Sequence, residues 1–288
     1  MILIALIITF IVLIIASLTD IKTREVPDFI SYGLIFIAGA IAVIYTIINK
    51  DYSYIAQSAM GFAIGLIIAY SMFYLGQWGG GDSKLIMGLG AIFGFNVFKV
   101  FGESNYSLLI YLAAVIFFGA IYGLAWSVVL AIRKKKIFVN SLKEWLAKKQ
   151  IIIARRLMLA LVTIMFIAAL TIAPIEFRTT LLSFIILFYC VFYIWLFVKV
   201  IEESCMIKEL PISKLTEGDW IYKDVYIGKK LVAGPKDLGI SKEQIEELKK
   251  YESKGKIKKV LVKEGIPFVP AFLFAFIGTM MLFYLGII

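Results

Sequence analysis

Apolar residues in this 288-residue chain fall in long, nearly unbroken runs separated by short polar stretches. A bilayer core about 30 Å thick needs roughly 20 apolar residues as a helix, and in lipid only helices or closed barrels satisfy their own backbone. Eight runs have this character: Ile2 to Leu18, Phe29 to Ile48, Ile55 to Leu75, Leu85 to Val100, Leu108 to Ile132, Leu157 to Ile172, Leu181 to Val200 and Pro267 to Ile288. They are too long for barrel strands. The pattern therefore predicts an all-α polytopic membrane protein with about eight transmembrane helices. The first run has no basic region before it and no small-residue cleavage site after it, so it reads as a retained span and not a secretory signal.

Residues 201–266 break the apolar pattern with 14 Lys against 12 Asp and Glu, and read as a small cytosolic α+β domain inserted before the last helix. Trp220 to Tyr226 and Lys256 to Val262 have strand character, Gly228 and Gly234 mark turns, and Ser241 with Gln244 forms a capping box for a helix through about Lys250. Between the fifth and sixth runs, Ser141 and Glu144 predict a helix whose Leu142, Trp145 and Leu146 face away from Lys143 and Lys148, as in a helix lying on a leaflet. The chain thus divides into a five-span membrane core (1–132), a basic interfacial segment (133–156), two further spans (157–200), the cytosolic domain (201–266) and a last span (267–288). No internal repeat is evident.

Charge sets the orientation. With the amino terminus outside, the short inner segments hold twelve Lys and Arg, against Lys50, Arg178 and Lys99 outside. This asymmetry gives a basic inner face, and the expected location is the plasma membrane. The net charge of +10 then reflects anionic lipid as a partner and requires no nucleic acid. The absence of His removes imidazole chemistry, and Cys190 and Cys205 lack metal or disulfide spacing, so no cofactor or metal is expected. Carboxylate, hydroxyl and amine chemistry remain.

Ionisable groups at membrane depth are functional candidates. Asp20 closes the first run, and Asp82 follows Gly79-Gly80-Gly81 ahead of the fourth. Two crossings separate them, so they share one face, the cytosolic one by the charge count. Asp82 also suits a helix N-cap, and Asp20 a solvated loop. Asp28 reads as the cap of the second span. Three glycines before Asp82 allow close backbone approach. The spacings Gly61/Gly65, Gly90/Gly94 and Gly119/Gly123 read as close helix packing. Two facing acids without His or metal suit general acid/base attack of water on a carbonyl, as in peptide hydrolysis. By helix dipoles, Asp82 is expected to hold the lower pKa and act as base, and Asp20 to carry the shared proton.

Gly79-Gly80-Gly81-Asp82-Ser83-Lys84-Leu85, followed by Gly88-Leu89-Gly90-Ala91 and Gly94, resembles the GxGD segment of the prepilin and preflagellin peptidases. Asp20, seven residues before Pro27-Asp28, resembles their first catalytic aspartate; Val26-Pro27-Asp28 departs mildly from an Ile-Pro-Asn-like element. The resemblance covers Met1 to about Val100, and Glu264 to Phe272 looks like the carboxy-terminal region of archaeal members. It implies an aspartyl endopeptidase that removes a short basic leader from type IV pilin-like or archaellin precursors at the cytosolic face. On that reading Asp20 and Asp82 are catalytic, Gly79 and Gly81 shape the loop, and Lys84 supports the site. The Cys-paired segment of methylating relatives is missing, which implies no methyltransferase activity. The alternative is a proton-coupled transporter, for which mid-membrane acids and inverted repeats would be expected.

Overall fold

The computed structural model describes residues 2–94, 107–237 and 239–286. It is mostly helical, with helices α1 (Ile2–Thr23), α2 (Asp28–Asn49), α3 (Ser53–Tyr74), α4 (Gly80–Phe93), α5 (Ser107–Arg133), α6 (Lys135–Ala147), α7 (Lys149–Thr171), α8 (Ile175–Ser204), α9 (Lys242–Glu252) and α10 (Val269–Tyr284). Among the described residues six helices are long and apolar enough to cross a membrane: α1 from Ile4, α2, α3, α5, α7 and α8. The fourth and eighth runs form the shorter α4 and α10, of 14 and 16 residues. The remainder of the fourth run, with Lys99, and the last two residues of the eighth lie outside the described residues. Large apolar side chains such as Phe36 and Ile116 are exposed along these helices, as a lipid-facing surface requires.

The chain forms two compact units, residues 1–123 with 210–288, and residues 124–209. In the first, α4 packs on α2 and α3, and α1 packs on α2 and α10. The α3–α4 contact is backbone against backbone: a Cβ at Gly61 would collide with the Gly90 carbonyl oxygen, and one at Gly90 with that of Gly61. Gly65 also lies against Ile86, its Cβ position 2.7 Å from that residue's carbonyl oxygen. Two of the three glycine spacings thus serve helix packing. In the third, Gly119 admits the Phe268 ring, while Gly123 has open space. The core joins Leu13, Val26, Leu34, Trp78, Leu85, Leu89, Val269 and Phe272.

The second unit buries Ile151, Leu196 and Val200 under Phe138, Leu142, Trp145 and Leu146 of α6. That helix starts at Lys135, six residues before the expected Ser141 cap, because nothing from Lys135 to Asn140 breaks a helix. Lys134 Nζ donates to the Cys205 carbonyl at 2.6 Å, closing the end of α8.

The small domain holds a three-stranded sheet in the order β1 (Ile207–Pro211), β5 (Lys259–Lys263), β2 (Trp220–Ile221), and a hairpin of β3 (Val225–Ile227) and β4 (Lys230–Ala233). β2 pairs antiparallel with β5, Trp220 opposite Lys263. The expected strand from Trp220 to Tyr226 is therefore two. An unbroken strand would turn Lys223 to the same face as buried Ile221 and Val225; the break leaves Lys223 in solvent. The Ser241–Gln244 capping box is present at α9.

Candidate active site

Asp20 sits in the last turn of α1 and is 6% exposed, whereas Ile21, Lys22 and Thr23 are open to the surroundings. A helix C-terminus is a poor place for a carboxylate. Compensation comes from the far end of the chain. α10 begins at Val269, and its backbone N–H, a donor that a helix start leaves unpaired, donates to Asp20 Oδ2 at 3.0 Å. The Pro267-Phe268-Val269-Pro270 turn thus presents a helix N-terminus to the acid. Past Asp20 the chain reverses at Arg24, with φ of +63°. The Arg24 guanidinium donates through Nη1 to the Gly265 carbonyl at 2.9 Å.

Asp82 is placed by the turn between α3 and α4. After α3 the backbone takes a left-handed conformation at Gly76, φ +66°, and Trp78 buries its ring against Phe268 and Phe272, at centroid distances of 5.7 and 5.4 Å. Gly79 caps α4, and its N–H donates to Asp82 Oδ2 at 3.1 Å. Asp82 is therefore the third helical residue and not the cap itself. Of the three glycines, Gly81 is pressed closest: its Cβ position lies 3.0 Å from Val26 Cβ, so the Asp82 turn and the α1–α2 turn nearly touch.

Half-burial of Asp82, and then the charge of Asp20, push its carboxyl up from 3.8 to about 7, while the Gly79 N–H works in the other direction. Burial likewise raises Asp20, to about 6, against the Val269 N–H and the charge of Arg24, so at both acids desolvation acts against the charged form. Lys84 lies elsewhere. It pairs with Asp28 at 2.5 Å, its ammonium 5.1 Å from the centre of the Tyr32 ring. Asp28 is the first residue of α2, Pro27 holds the cap position, and the acid's partner is Lys84. Neither aspartate belongs to a group of three or more His, Cys, Asp or Glu residues that could hold a metal, among the described residues.

Val269, Arg24 and Trp78 are contributions the one-dimensional pattern did not single out. The hint for Val269 was a proline-flanked helix start, Pro267 to Pro270, in a segment read as a span and, by resemblance, as a carboxy-terminal region of archaeal members.

With this geometry in hand, the chain can be set beside known proteins. Residues 7–124 match the type IV leader peptidase family. That stretch holds Asp20, Gly79, Gly81, Asp82 and Lys84. The chain is 40% identical over 80 residues to the preflagellin peptidase of Methanocaldococcus jannaschii, covering 28% of this chain and 34% of that one. It is 42% identical over 80 residues, with the same coverage, to that of Methanococcus maripaludis. To that of Methanococcus voltae it is 37% identical over 91 residues, covering 32% and 39%. The chain thus spans about a third of the length of the curated relatives it matches. No solved structure matches it.

Proposed function

We propose that the chain is a multi-pass membrane aspartyl endopeptidase that removes the leader from preflagellin-like or type IV pilin-like precursors at the cytosolic membrane face. The observation that carries this reading is the arrangement of the two acids. Asp20 and Asp82 come from different helix ends within the family-matched segment, and the turns beside them nearly touch, Gly81 against Val26. A pair that shares one proton can serve as acid and base together. Asp20, whose Oδ2 accepts the Val269 N–H, starts as the carboxylate and takes a proton from water. Asp82 starts protonated and gives its proton to the carbonyl oxygen of the scissile peptide. The pair then exchanges roles as the amine leaves. This reverses the roles that helix dipoles alone suggested.

The remaining features fit the same reading. The fourth and eighth apolar runs, to which α4 and α10 belong, count as the two further crossings that make eight. The amino terminus lies outside, both acids face the cytosol, Gly79 and Gly81 shape the turn, and Lys84 braces it through Asp28. No methyl transfer accompanies cleavage. A proton-coupled transporter would draw on acids at mid-membrane, whereas these two stand at helix ends.

The test is co-expression of the full chain with a preflagellin precursor, reading leader removal by the shift in precursor mass. Wild type trims the precursor, and Asp20→Asn and Asp82→Asn each slow trimming about a hundredfold or more. Trimming at the wild-type rate by either variant removes the proposal.

A further inference from the structure

The small α+β domain touches both turns that carry the aspartates, and it does so from one place in its sheet. Trp220, at the start of β2, lies over Gly76 in the α3–α4 turn: a Cβ there would stand 2.7 Å from the indole Cη2 and 3.2 Å from Cζ3. Its register partner across the ladder is Lys263 of β5. Two residues beyond Lys263, the Gly265 carbonyl receives the Arg24 guanidinium from the α1–α2 turn, and four further on Val269 N–H reaches Asp20. One rung of a two-stranded ladder therefore sits on the Asp82 turn with one strand, and its continuation holds the Asp20 end of α1. Neither contact belongs to the small domain's own core, which is built of Ile212, Ile221, Val232, Ile240, Leu248, Val260 and Val262.

We propose that the β2–β5 ladder is a positioning device for the aspartate pair, with Trp220 and Arg24 as positioning residues that set the separation of the two carboxyls. This rests on reading Asp20 and Asp82 as a working pair. Displacing a reacting group by about 1 Å can cost a hundredfold in rate, so a contact this far from the chemistry acts on turnover more than on substrate binding. Gly76 enters from the other side: any side chain there meets the indole and, at φ +66°, also the left-handed backbone restriction.

The experiment uses the full chain in membranes and has two readouts. In the first, leader removal by Trp220→Ala and Gly76→Ala shows kcat reduced about tenfold or more with KM little changed, and Trp220→Phe restores most of it. In the second, Cys190 and Cys205 are replaced by Ser, cysteines are placed as Asp20→Cys and Asp82→Cys, and bridging by a short bifunctional thiosulfonate is timed. Bridging slows when Trp220→Ala is added and recovers with Trp220→Phe. Unchanged bridging together with an unchanged kcat overturns the positioning role. Bridging that responds to Trp220 in a chain that trims no precursor leaves the positioning role standing and removes the peptidase reading instead.

Discussion

A glycine-rich turn can supply free space or a bare backbone donor, and Gly81 and Gly79 divide these tasks. At Gly81 a methyl group must push against Val26, whose Cβ is 3.0 Å away and whose backbone N is 3.3 Å away. Gly81→Ala is therefore expected to cost about 1–3 kcal/mol and to slow leader removal. Gly79→Ala, whose Cβ meets only Asp82 Oδ2 at 3.6 Å, should leave both nearly unchanged, while Gly79→Pro removes the N–H that Asp82 accepts and should behave like Gly81→Ala. Thermal unfolding in detergent and trimming assays decide this; equal effects of the two alanines would contradict it. Asp82 carries a second prediction. Its folded value of about 7 lies above 3.8, so the folded state keeps a proton that the unfolded chain releases between about pH 4 and 7, and stability declines as pH rises through that window. Asp82→Asn cannot ionise. It should match wild type near pH 4 and melt higher at pH 8, and a Tm difference constant with pH would exclude the raised value. The same proton is needed for acid catalysis, so trimming should fall as pH rises above about 7. Both aspartates were legible in the sequence as candidates, because acids at the ends of apolar runs are costly and a glycine turn announces itself. Their protonation roles were not, since these depend on burial and on a like charge separated by some 60 residues of sequence.

Helix packing shows where a spacing rule suffices and where it does not. Gly61/Gly65 and Gly90 meet as a pair of surfaces, α3 against α4, while the same spacing at Gly119/Gly123 has only one member in contact. Two glycines four apart define a smooth stripe on a helix, but only the neighbouring helix decides whether the stripe is used. Gly90→Ala, whose Cβ would meet the carbonyl oxygen of Gly61, should force α3 and α4 apart and lower Tm by several degrees, as about 1–3 kcal/mol of overpacking does. Gly123→Ala should leave Tm unchanged or raise it, since nothing lies within 4 Å of its Cβ and alanine is the better helix former. An equal loss in both would mean that the α3–α4 contact carries no special weight. The capping box at Ser241 was legible because its chemistry is local. The start of α6 was not, because a serine and a glutamate three apart also occur inside helices whose true beginning carries no cap residue.

At the scale of the whole molecule, hydropathy marks where the chain prefers lipid, and charge marks which side each turn faces. Six of the eight apolar runs form helices of spanning length, and the other two form helices whose described parts are shorter. The glycines of α4 allow its tight packing on α3, and the proline-flanked start of α10 uses its first residue to hold Asp20. What one dimension could not express is that the end of α1, the start of α4 and the start of α10 meet, since this needs contacts between residues 20 and 269 and between 26 and 81. The orientation proposed from the positive-inside rule can be tested directly. In a chain with Cys190 and Cys205 replaced by Ser, single cysteines at Lys50 and Arg178 should react with a membrane-impermeant maleimide added to intact cells. Cysteines at Lys143 and Lys230 should react only after the membrane is opened. Because Lys50 follows α2 and Lys143 lies in α6, an inverted chain would reverse all four results together. It would also put the aspartates on the side where no untranslocated leader waits, so this labelling decides between the cytosolic peptidase and any reading that needs the opposite face.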